Sequence, residues 1–219
     1  MLPDKTLADH NEKVAPERKL IKARITFMPC ANVTGKHKLP LFVVRTANKP
    51  RAFKSVTLPV CYCGQKDAWV TRELLFDWFK TEFVPAVLQH MKSINLPQQA
   101  LLLLDNCPGH SSTKELCTDD SEISAMFLPP NMIALIQPMD QNVIQNIKLG
   151  YRKLFLTNIL NDSVFNENLE KTLKNINLKD VVFSLANCWA SVSTLLINKS
   201  CKNLLSNFID SEVEENVQT

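Results

Sequence analysis

The chain has 219 residues, 45% of them hydrophobic and 21% charged, with a net charge of +3. That is enough apolar material for a real core and too little net charge for a disordered chain. No apolar run approaches the ~20 residues of a bilayer span, and Met1-Leu2-Pro3-Asp4-Lys5 has no apolar signal core, so neither membrane insertion nor export is expected. Seven cysteines without paired spacing suit free thiols in a reducing setting. Four glycines argue against a Gly-rich nucleotide loop.

Residues 1–22 are polar and read as a loop or arm. Ile25–Val33 and Leu39–Val44 are apolar, β-rich runs joined by Thr34-Gly35-Lys36-His37-Lys38, which predicts a hairpin. Pro29 and Pro40 each remove a ladder donor, so its pairing must be at an edge or bulged. Leu58–Tyr62 is a short third strand. Residues 71–92 have helical periodicity, with Thr71 as N-cap and a kink expected at Pro85. Ala100–Leu104 is an unbroken aliphatic run ahead of Asp105-Asn106, read as a strand buried on both faces in a parallel sheet. A polar loop over 111–122, a strand over 123–128 and a break at Pro129-Pro130-Asn131 follow. Pro138 opens a long helix with the stripe Val143, Ile144, Ile147, Tyr151, Leu154 and Phe155. Helices are expected near 167–176, 179–196 and 199–209, then a disordered acidic tail over 210–219. Strands and helices in this order indicate an α/β layered domain.

Charge is uneven. Residues 13–54 hold eleven Lys and Arg against one acid, Glu17, giving +10 there and leaving −7 for the rest. Such a stretch is either a solvated face or a surface for a polyanion, since Lys and Arg contacts to phosphate dominate nucleic-acid affinity.

Two carboxylates stand out. Asp105 ends a buried strand, where α/β sheets present their ligands. Asp140 falls in the first turn of the second long helix, in line with Ile144, Ile147 and Tyr151. Converging acids of this kind could hold a hard cation such as Mg²⁺. Equally, Asp105-Asn106 could be a strand-ending turn and Asp140 a favourable charge at a helix N-terminus. Zinc is a poorer fit: Cys61-Tyr62-Cys63 is too close, and Cys107, His110 and Cys117 lack a second close pair. Cys107 is better read as apolar filler than as a nucleophile.

The run Leu101-Leu102-Leu103-Leu104-Asp105-Asn106-Cys107-Pro108-Gly109-His110 resembles the second-aspartate motif of DDE superfamily endonucleases of the Tigger/pogo transposase-derived branch. Phe127-Leu128-Pro129-Pro130-Asn131 and Gln137-Pro138-Met139-Asp140-Gln141 resemble the third-aspartate motif, and the 34 residues between the two acids fit the family's spacing. Cys30–Pro40, Asn48–Phe53 and Trp69-Val70-Thr71 are also similar, and Met-Pro-Cys-Ala-Asn is worded like Jerky-like members.

The resemblance implies an RNase H-like mixed sheet flanked by helices. It also implies three acids holding two divalent ions, Mg²⁺ or Mn²⁺, for cleaving and joining DNA strands. Asp105 and Asp140 map onto the second and third acids. The first-aspartate motif is not found, which implies a domain over 1–209 lacking its first, central strand. Its core would span about 20–160 and its C-terminal helical part about 165–209. Asn142 stands where such transposases usually have Gly.

The resulting expectation is a transposase-derived, nuclear, DNA-binding protein, catalytically inactive as given. Asp105 and Asp140 would be its catalytic and metal residues, and Lys36, His37, Lys38, Lys49 and Arg51 its nucleic-acid contacts. A second copy or other nuclear proteins are further partners to expect. The alternatives are a fragment of an active Mg-dependent transposase, or a protein-interaction module without DNA contact.

Overall fold

Residues 24–105, 115–128, 137–161 and 177–205 are the described part of the computed structural model. Sequence expectations for 1–22, for Asn106–His110 and the start of the loop after it, for the Pro129 break, for the 167–176 helix and for the acidic tail lie outside the described residues.

The hairpin forms as the apolar runs predict. β1 (Ile25–Met28) pairs antiparallel with β2 (Leu41–Arg45), placing Phe27 opposite Val43. β1 stops just before Pro29, and only the Ala31–Lys38 bridge continues the pairing towards the turn. β3 (Val60–Gly64) lies parallel to β2 on its other side, two residues later in the chain than expected. β2 is therefore central, and its first four residues are fully buried. Period-two alternation sends Phe42 and Val44 into one core and Leu41 and Val43 into another, on opposite faces.

The first core is roofed by the helical segment expected over 71–92. Thr71 caps it, its Oγ1 accepting from Leu74 N at 3.4 Å. The segment does not simply kink at Pro85. It runs as α1 (Arg72–Trp78), a π-helical turn over Phe79–Phe83, and α2 (Val84–Ser93), which carries Pro85 in its first turn. Proline lacks an N–H and clashes with the preceding turn, and the wider π turn absorbs that mismatch. It also rotates Phe79 and Phe83 inward against Trp78.

β4 (Ala100–Leu104) and β5 (Ile123–Phe127) form a second, parallel two-stranded sheet. Leu102, Leu104, Ile123 and Ala125 join Phe42 and Val44 beneath the same helices. β4 is not buried on both faces as its unbroken aliphatic run suggested. Leu101 is 54% and Met126 45% exposed, because only one face of this sheet is covered among the described residues.

Pro138 opens a 3₁₀ turn (Pro138–Asp140) rather than the long helix, which begins at Val143 as α3 (Val143–Asn161). Asn142 between them has φ +72°, a left-handed conformation that Gly takes without strain and Asn tolerates better than most residues.

The two helices expected over 179–196 and 199–209 both form, with the break between them earlier, at 192–193. α4 (Leu178–Ser191), capped by Asn177, packs Val182, Leu185 and Trp189 on the second face of the first sheet. The chain then breaks at Val192, and α5 (Thr194–Leu205) restarts with Ser193 Oγ accepting from Leu196 N at 3.2 Å. Lys38 caps the break. Its ammonium reaches across from the β1–β2 turn and donates to the carbonyls of Trp189 (3.2 Å), Ala190 (2.8 Å) and Val192 (2.9 Å). Carbonyls that a continuing helix would use are thus taken by a cation at the negative end of the α4 dipole.

Candidate functional site

Asp105 directly follows β4 and is half-buried, in line with a ladder that Leu128 N extends by donating to Leu104 O at 2.8 Å. Asp140 closes the 3₁₀ turn. That turn is held by Gln141 N donating to Pro138 O (3.1 Å), by Met139 in the second core, and by Ser200 Oγ of α5 donating to Gln141 O (2.6 Å). Asp140 is therefore neither in the first turn of α3 nor in its buried stripe, as the helical spacing had placed it. The Asn142 conformation separates the two, and Asp140 stays accessible to solvent.

The charge of Asp105 reaches Asp140. Partial burial pushes the Asp140 carboxyl above the usual carboxylate range, the charge of Asp105 pushes it further, and Lys148 pulls it back. Residues 35 positions apart in the chain thus share one electrostatic neighbourhood.

The two motifs supply hard oxygen donors: the carboxylates of Asp105 and Asp140, and Gln137 Oε1, three residues ahead of Asp140 in the chain and buried without a hydrogen-bond donor among the described residues. Among the described residues no group of three or more His, Cys, Asp or Glu is placed to hold a metal.

The five basic candidates divide by environment. Lys36, Lys49 and Arg51 are exposed. Lys49 and Arg51 sit on a loop fixed by Tyr62 Oη donating to Ala47 O at 2.6 Å and by close packing of Asn48 on Gly64, where an added Cβ would lie 2.2 Å from Asn48 Cα. Lys38 is engaged at the α4 C-terminus, as described. His37 stacks on His90 of α2, with ring centroids 4.0 Å apart and planes 5° from parallel. Burial and the neighbouring His90 charge both hold the His37 imidazole below its ordinary value.

The thiols are quiet. Cys30 and Cys61 are each pushed up to about 12, chiefly by burial, and the six described cysteines are free. Among the described residues no single helix is long and apolar enough to cross a membrane.

Sequence reasoning missed Lys148, the Lys38 clasp and the histidine stack. Only the first had a legible signal: residues 143–161 contain no acid but carry Lys148, Arg152 and Lys153.

An α/β chain with an acid at a strand end and a second acid on a distant turn has a counterpart among known families. The family model for DDE superfamily endonuclease matches residues 22–200, and the chain belongs to that family. Within it, this is a Tigger/pogo-derived domain similar to Jerky-like proteins. It is 35% identical to human Tigger transposable element-derived protein 7 over 93% of this chain and 40% of that protein. It is 36% identical to human Jerky protein homolog over 86% of this chain and 32% of the relative. Mouse Jerky protein is 32% identical over 89% and 33%. The chain thus spans about a third to two fifths of the length of these relatives. No solved structure matches.

Proposed function

We propose that this chain is a nuclear DNA-binding domain derived from a transposase, which by itself does not cleave DNA. The observation that carries the reading is the electrostatic meeting of Asp105 and Asp140, each supplied by a motif of the family. Asp105 and Asp140 would hold one divalent ion, Mg²⁺ or Mn²⁺. Such an ion, when bound, would polarise a phosphate and activate water. In-line phosphodiester chemistry with two ions needs a further acid to clamp the second, and Asp105 and Asp140 already serve the first. The role of this chain's own groups is then to bind and orient the backbone. The uneven charge, +10 over residues 13–54, supports DNA as the ligand, with exposed Lys36, Lys49 and Arg51 as contacts.

The function is tested on supercoiled DNA. The chain is expected to bind duplex with affinity falling steeply as salt rises and to leave the circle intact with Mg²⁺ or Mn²⁺. Nicking that disappears in both Asp105→Ala and Asp140→Ala would overturn the inactive assignment. Binding that is absent or insensitive to salt would overturn the DNA assignment.

A further inference from the structure

The sequence holds three tryptophans. Trp78 and Trp189 lie in the cores, but Trp69, on the loop between β3 and α1, is 56% exposed. That loop is held in place. Gln65 Oε1 accepts from Asp67 N (2.6 Å) and Trp69 N (3.2 Å), and Ala68 N donates to Gln65 O (2.8 Å). Thr26 Oγ1 of β1 donates to Ala68 O (2.6 Å). Ala68 is fully buried at φ +54°, a left-handed conformation that a residue with a Cβ rarely takes. The backbone under the indole is thus fixed both within the loop and from β1. The exposed ring can meet a ligand with little loop-ordering cost.

Arg24 covers one side of the ring, its guanidinium carbon 4.8 Å from the ring centre. With more than half the side chain still accessible, the other side is open. The surroundings are cationic. Ile25 pairs with Arg45 and Arg45 with Gly64, so the start of β1 and the ends of β2 and β3 meet at one end of the sheet. Gln65 N donates to Arg45 O at 2.7 Å there. The loops leaving that end, 46–51 and 65–69, carry exposed Lys49, Arg51 and Lys66 against one acid, Asp67. An aromatic face among cations suits a nucleobase, since every base has a π-face and its phosphates meet the charges around it. Bases inside a duplex keep their faces in the stack, so the base that fits is unpaired.

We propose that Trp69 is a stacking platform for an unpaired nucleobase of a DNA strand. Arg24 backs the ring, and Lys49, Arg51 and Lys66 at the same end of the sheet meet the phosphates. This rests on the DNA-binding reading and deepens it, adding a preference for single-stranded DNA carried by a residue that neutralises no phosphate.

The test uses the full chain, Trp69→Ala and Trp69→Phe, matched by circular dichroism. Anisotropy of a fluorescein-labelled oligothymidine of about 15 nucleotides, and of a blunt duplex of equal length, is followed across a salt series. Trp69→Ala should weaken single-strand binding about 10-fold, as loss of one stacked base does. Its log–log salt slope should stay that of the wild type, because no phosphate contact is lost. Trp69→Phe should keep most of the affinity, and the duplex should lose less than about twofold in either variant. Unlabelled oligothymidine should quench the tryptophan emission of the wild type, in which Trp69 is the exposed one of three, and not that of Trp69→Phe. Single-strand binding without quenching, binding that Trp69→Ala leaves unchanged, or an equal loss on duplex each removes the platform and leaves the DNA reading standing. If the wild type binds neither DNA with salt dependence, both fall.

Discussion

Lys38 offers the sharpest test of the architecture. Replacing it by Met keeps most of the stem's length and apolar contact, including the packing that now puts the ammonium 5.1 Å from the Trp189 ring centre, but removes the charge. Three carbonyls at the end of α4 lose their donor, at distances of 2.8, 2.9 and 3.2 Å. A hydrogen bond to a charged donor contributes about 1.5–3 kcal/mol when buried. Here the Ala190 contact is exposed and water can replace it, so the full sum does not apply. A favourable charge at a helix C-terminus adds about 0.3–1 kcal/mol. Together these predict a loss of about 2 kcal/mol, or roughly 4–8 °C in Tm for a chain of this size. Thermal unfolding followed by circular dichroism measures the loss, and hydrogen exchange should show faster opening at 189–193. Lys36→Met, two residues away and exposed, should change Tm by less than 1 °C, within the usual range for a surface substitution. If Lys38→Met costs under about 0.5 kcal/mol, or no more than Lys36→Met, the clasp does not hold α4 to the hairpin.

The His37–His90 stack makes stability depend on pH. Because the folded imidazole of His37 is held below its ordinary value near 6.5, the unfolded chain binds more protons in that range. Stability should be full above pH 6.5 and fall as pH drops through the folded value; His90→Phe should lessen this dependence in denaturant midpoints against pH only in part, since burial is the larger cause. Asp105→Asn should lower the Asp140 titration midpoint read by ¹³C NMR and Lys148→Met should raise it, since Asp105 pushes that carboxyl up and Lys148 pulls it down. An unmoved midpoint in Asp105→Asn would separate the two acids. Gly35 has φ +70°, and an added Cβ would lie 2.9 Å from Thr194 Cα, so Gly35→Ala should cost at least about 1 kcal/mol in denaturant unfolding.

The sequence alone determined the element types, because periodicity of two or 3.6 is written in the order of apolar residues. It determined the hairpin, the Thr71 cap and the parallel character of β4. It did not determine where elements stop. Pro85 reads as a kink, but the mismatch is taken up by the π turn before it, which carries Phe79 and Phe83 into the core. The apolar pattern runs on to residue 196, past the break at 192–193, and the cation that caps the break comes from a turn about 150 residues earlier. The aliphatic run of β4 predicts two covered faces, while coverage belongs to whatever packs there.

The same limit applies to the site. Lys36 and Lys38 are indistinguishable in a list of basic residues, yet one is exposed and the other caps a helix. Local pattern carries short-range preferences of backbone and side chain. Which charges meet, which carbonyls find donors and which lysines stay free for a ligand depend on contacts distant in sequence, so only the tertiary structure decided them.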